Sequence, residues 1–242
     1  MTGTIRSSMG FSHPNVFGAF ILSISAEYLY LREKKLNIFD ITLIGVLSFL
    51  VGYYADSRTP QLSIILILII SIIIKNINLD KIKIGKIIPN MFFICAILSF
   101  ISGSLYANGN SLMIKLNETF TGRINFIAKF FEKYPINLFG NKIEIIGTKL
   151  SSETGIKPWI LDNAYALILL RYGIIAFTMM GIYLNIFFKK AWKNKEYMIV
   201  ACMLVFLIFG LLESGIIKIA YNIFWLYFAE LLYGERKEEW TI

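Results

Sequence analysis

Pro60-Gln61-Leu62-Ser63-Ile64-Ile65-Leu66-Ile67-Leu68-Ile69-Ile70-Ser71-Ile72-Ile73-Ile74 is almost wholly isoleucine and leucine and carries no charge. It is short against the ~17–25 residues that cross a bilayer as a helix, yet it is one of a series. Before it lie Pro14–Leu31 and Ile38–Tyr54, and after it Ile87–Tyr106, Leu161–Phe188, Tyr197–Leu212 and Ile216–Tyr233, giving seven apolar blocks in all. The chain of 242 residues is 57% hydrophobic and 17% charged, with a mean hydropathy of +0.65. Soluble domains average ~45–50% apolar and ~25% charged. The excess is gathered into blocks, so the expected fold is all-α, a polytopic bundle of about seven transmembrane helices forming a single membrane domain over residues 1–242. A β-barrel would alternate apolar and polar residues over strands of about ten residues, and these runs do not.

Loop charge sets the expected orientation. Arg32, Lys34 and Lys35 follow the first block; Lys75, Lys81, Lys83 and Lys86 follow the third; Lys189, Lys190, Lys193 and Lys195 follow the fifth; Arg236 and Lys237 close the chain. The alternate short linkers carry only Arg58 and Lys218. Short loops rich in Lys and Arg stay cytoplasmic, so the N-terminus and the second, fourth and sixth linkers are expected outside. The net charge of +8 is explained by those cytoplasmic loops and does not point to nucleic acid. An outward N-terminus with no span before it points to a C-terminal part of a longer membrane protein or to a truncated reading frame. There is no compact basic segment and short apolar core of a signal peptide.

The fourth linker, residues 107–160, is the one large extracytoplasmic loop expected. Within it, Thr119–Phe131 reads as an amphipathic helix, with Phe120, Ile124, Ile127, Phe130 and Phe131 at helical spacing, suited to lying in the membrane interface. Pro135 ends it, and Gly140 and Gly147 mark turns. Cys95 and Cys202 both fall in apolar blocks, where thiols pack as small hydrophobes; a lone His13 and two cysteines do not make a zinc site of the usual kind.

The polar residues near the outer ends carry the candidate chemistry. Arg6-Ser7-Ser8-Met9-Gly10-Phe11-Ser12-His13-Pro14-Asn15 precedes the first block and holds the single histidine. Arg58, in a short turn, either snorkels beside Asp56 or forks onto phosphate oxygens. Arg123 either faces solvent or sits where a lipid headgroup would. Asp162 and Asn163 stand where the fifth block begins, a helix-capping position. Arg171 is expected ~13 Å further along that helix, buried, with Glu213 or Asp162 as its partner.

In their order along the chain, these stretches resemble the Wzy-type polysaccharide repeat-unit polymerases of the O-antigen polymerase and ligase superfamily. The resemblance is carried by Arg6 through Gly18, Ser57-Arg58-Thr59, Thr121-Gly122-Arg123, Leu161-Asp162-Asn163-Ala164-Tyr165, Arg171-Tyr172-Gly173 and Glu213 to Phe224. It implies a GT-C-like, metal-independent glycosyltransferase of a bacterial cytoplasmic membrane, without cofactor. The implied substrates are oligosaccharide units on undecaprenyl pyrophosphate, with a flippase and a chain-length regulator as companions. It implies Arg58 and Arg123 as pyrophosphate ligands, with Arg6, His13, Asn163 and Arg171 as further substrate contacts. Family members have more spans than this chain. For the acceptor hydroxyl, a base is expected among His13, Asp162 and Glu213, with His13 first because its ordinary pKa lies near neutral. No Asp-rich cluster is present to hold Mg²⁺. A ligase shares the architecture. A lipid-sugar flippase would line a path across the membrane with charge, whereas here Arg171 is the one basic residue well inside a block, with Glu27, Glu213 and Glu230 nearer block ends. A non-catalytic membrane scaffold is the remaining reading.

Overall fold

The computed structural model describes residues 6–33, 35–79, 83–222 and 224–227. Lys34, Lys81, Glu230, Arg236 and Lys237, and the end of the seventh block, lie outside the described residues. Among the described residues the chain is all-helical: α1 Pro14–Leu31, α2 Ile38–Ala55, α3 Arg58–Asn76, α4 Met91–Ala107, α5 Ser111–Thr119, α6 Arg123–Lys133, α7 Thr148–Thr154, α8 Ala164–Lys193 and α9 Tyr197–Phe209. Beyond these are short 3-10 turns and one isolated bridge between Ile146 and Trp159.

Among the described residues, four segments are long and apolar enough to cross a membrane: Ile38–Ala55, Arg58–Asn76, Ile84–Ala107 and Ala164–Lys193. They match the second, third, fourth and fifth expected blocks. The first block forms α1, but Pro14, Asn15 and Glu27 dilute it and it is not among the four. The sixth forms only the 13-residue α9. The seventh does not start as an α-helix at Ile216: Ser214–Ile217 and Ile219–Tyr221 are 3-10 turns.

The chain divides into two compact units. The first holds residues 1–89, 185–205 and 218–242. In it α1, α2 and α3 pack together. Asn37 and Asp40 make a capping box at the start of α2, each side chain accepting from the other's backbone N–H. Buried Asp40 also accepts from Tyr28 Oη at 2.5 Å and Arg32 Nε at 3.2 Å, so its charge is paired inside the α1–α2 turn. Gly18 lets α1 approach α3; a Cβ there would meet the Pro60 ring at 2.7 Å.

The second unit holds residues 90–184 and 206–217. Its core joins Ile127, Phe130, Ile143, Leu161, Ala166, Leu167 and Leu170. The amphipathic helix expected over Thr119–Phe131 is α6, starting later at Arg123, with Phe120 capping the end of α5. Its apolar face does not lie on lipid. Ile124, Ile127 and Phe130 are buried, with Ile127 against Gly103 of α4 and Phe131 edge-on to Phe100. An amphipathic pattern fixes which face is covered, not what covers it.

The helix α8 is not continuous. Gly173 has φ 84 and ψ 175, a conformation essentially restricted to glycine. The N–H groups of Ile174 and Ile175 donate instead to the carbonyls of Asn137 and Leu138, at 3.0 and 3.3 Å. The carbonyl of Leu170 accepts from both the backbone N–H and Nδ2 of Asn141, at 2.8 and 2.9 Å. The loop before α7 thus supplies the partners that the broken helix has lost, as buried backbone requires.

Candidate functional site

The C-terminal end of α9 leaves carbonyls with no partner inside the helix. The start of α8 meets them one after another. Tyr165 Oη donates to Leu207 O at 2.6 Å, the N–H of Ala164 to Gly210 O at 2.9 Å, and Asn163 Nδ2 to Leu211 O at 2.9 Å. Asn163 also donates to Ser99 Oγ at 2.8 Å and caps α8 by accepting from the N–H of Ala166. It is buried, and its amide is fully engaged: the oxygen caps α8 and the nitrogen serves Ser99 and Leu211.

The next carbonyl, Leu212 O, accepts from Arg123 Nη1. Arg123 is the first residue of α6, placed by the tight turn through Thr121 (φ 54) and Gly122 (φ 87). Its Nη2 lies 2.8 Å from Glu213 Oε1, and its Nε lies 3.5 Å from Asp162 Oδ2. One guanidinium therefore gathers two carboxylates and the Leu212 carbonyl. Glu213 is 12% exposed and Asp162 31%, so Asp162 is the more open of the two.

This arrangement joins three of the residues singled out from the sequence and corrects one pairing. The carboxylates expected to neutralise Arg171 are held by Arg123 instead. Arg171 is not deeply buried: it is partly buried just before the break in α8, and among the described residues no carboxylate lies within ion-pair distance of it. Arg123 itself is not a solvated arginine on the face of an interfacial helix, and a phosphate would compete with two carboxylates for it.

The remaining candidates lie in the first unit. His13 caps α1, its Nδ1 accepting from the N–H of Asn15 at 3.1 Å. Arg6 clips the α2–α3 turn: its Nε donates to Ala55 O, and one terminal nitrogen to Asn15 Oδ1 and Asp56 O, each at 3.0 Å. Arg58 differs from both. Its side chain is 80% exposed, and its one ion pair, to Asp56, is long at 3.9 Å. The bond that Ser57 Oγ donates to Asn15 Oδ1 across this turn, at 3.0 Å, was not anticipated. Neither was Asn141, whose sequence signal is only its place after Gly140. Among the described residues no group of three or more His, Cys, Asp or Glu is placed to hold a metal ion.

No family model matches the chain, and no significant match was found among curated proteins or solved structures.

Proposed function

We propose that the chain polymerises oligosaccharide repeat units carried on undecaprenyl pyrophosphate, as a metal-independent glycosyltransferase at the outer face of a bacterial cytoplasmic membrane. The observation that carries the reading is the Arg123–Asp162–Glu213 cluster in an otherwise apolar helical unit. Charges kept in such surroundings cost free energy, and in membrane proteins they mark function by default.

In this reading the oxygen of an acceptor hydroxyl attacks the anomeric carbon of the donor sugar. The bond from that carbon to the pyrophosphate oxygen breaks, undecaprenyl pyrophosphate leaves, and the hydroxyl proton passes to a carboxylate. Asp162, the more open of the pair, takes that role, and Arg123 positions it. Within the first unit, the exposed fork of Arg58 is of the kind that suits phosphate oxygens.

The test is product analysis in cells lacking the gene and supplied with wild type, Asp162→Asn or Glu213→Gln at matched membrane levels. The expected result is loss of polymer and accumulation of single lipid-linked units with Asp162→Asn. Wild-type polymer from both variants would overturn the role of the cluster. Wild-type polymer in the deletion strain itself would overturn the activity.

A further inference from the structure

Burial changes along α8 at its break. Every residue from Ala164 to Leu170 is buried, although these side chains point in all directions around the helix. Past Gly173 the pattern is one-sided: Ile174, Ile175, Met179, Ile182 and Ile186 are exposed, while Phe177 and Leu184 are buried. The first part is thus a helix enclosed by protein, and the second has one exposed, apolar side. Tyr172 to Phe188 is free of charge and is bracketed by Arg171 and the pair Lys189 and Lys190. At helical rise that stretch measures ~26 Å, close to the ~30 Å of bilayer hydrocarbon. The outer edge of the hydrocarbon therefore falls at the break, not at Leu161.

The loop that fills the break lies at the same level, because Asn137, Leu138 and Asn141 bond directly to residues 170–175. Its tip is apolar and uncovered: Ile136 and Leu138 are more than half exposed, and Phe139 is 82% exposed. An aromatic so exposed at this level suits hydrocarbon rather than water. Arg171, only partly buried, stands beside it in backbone contact, and a long cationic side chain at such a level can reach lipid phosphate.

We propose that residues 136–139 form an interfacial anchor whose Leu138 and Phe139 side chains enter the acyl region of the outer leaflet, with Arg171 at the level of the phosphates. The proposal rests on the chain crossing a membrane and is independent of any glycosyl transfer. It adds an interfacial element to the extracytoplasmic loop expected over residues 107–160.

The test uses the full chain with Cys95→Ala and Cys202→Ala, reconstituted in phosphatidylcholine–phosphatidylglycerol vesicles. Spin labels are placed singly at Phe139→Cys, Leu138→Cys, Arg171→Cys, Ile182→Cys and Lys157→Cys. Relaxation by oxygen, enriched in hydrocarbon, is compared with relaxation by a water-soluble nickel chelate. The expected order of the oxygen-to-nickel ratio is Ile182 highest, then Phe139 and Leu138, then Arg171, with Lys157 lowest. A nickel-dominated signal at Phe139 and Leu138 with Ile182 still lipid-like would overturn the anchor. Shielding of both loop positions from both reagents would mean that protein covers the tip, and would overturn it equally. A nickel-dominated signal at Ile182 as well would overturn the membrane placement beneath it.

Discussion

Asn163 Nδ2 and the carbonyl oxygen of Leu211 lie 2.9 Å apart, and that contact ties the N-terminal end of α8 to the chain leaving α9. The two helix ends have opposite partial charges. Their junction places Asp162 and Glu213, one residue or two beyond these partners, on a single arginine.

Replacing Asn163 by alanine removes the α8 cap and strips Leu211 O and Ser99 Oγ of a donor. Loss of about 1–3 kcal/mol is expected, read as a lower midpoint in thermal unfolding of the detergent-solubilised protein. Asn163→Asp keeps an acceptor for Ala166 but sets a carboxylate against the Leu211 carbonyl. Its stability should be no better than that of the alanine variant; recovery to wild type would show that the cap alone matters.

Arg123 and Glu213 should be energetically coupled. In a double-mutant cycle of Arg123→Met and Glu213→Gln, an interaction of roughly 1.5–3 kcal/mol is expected, the range for hydrogen bonds to charged groups. The single Arg123→Met change should be the most harmful, since it removes the partner that both carboxylates share. Additive losses would show that the 2.8 Å contact contributes nothing.

Gly109 and Gly173 both have positive φ, but only Gly173 has backbone against it. Gly109→Ala therefore carries the ordinary left-handed penalty of ~1–2 kcal/mol. A Cβ at Gly173 would run into the Leu138 carbonyl and the Gly140 nitrogen, so Gly173→Ala should be clearly the less stable variant. Equal unfolding midpoints would mean that the loop yields freely.

If Arg58 grips phosphate through its planar fork, lysine cannot replace it. Polymer from Arg58→Lys should fall on the order of 10- to 100-fold, as for one charge-assisted contact made mainly in the transition state. Its high exposure means the change should leave unfolding unaltered. Polymer close to wild type would reduce Arg58 to an interfacial residue.

The membrane helices were legible because their signal is local. Ile38–Tyr54 differs from α2 by one residue, and Pro60–Ile74 from α3 by two at each end. Asp162, Arg123 and Glu213 were each conspicuous as charges beside apolar runs, but their partnership was not, since it depends on where α6 meets the end of α9. The expected burial of Arg171 made it the favoured partner instead. The break at Gly173 left only a glycine in an apolar run, and glycine is common in membrane helices. What makes it a break is the loop from Pro135 to Asn141, whose sequence resembles any surface turn.

Assembly order follows from the knot at Asp40. Its donors, Tyr28, Arg32 and Asn37, all precede it within one turn and the helix ends around that turn. Contacts of such short sequence separation close early and need nothing from the rest of the chain. The turn between α1 and α2 can therefore form with its carboxylate already paired, before Lys75, at the far end of α3, reaches the Leu36 carbonyl.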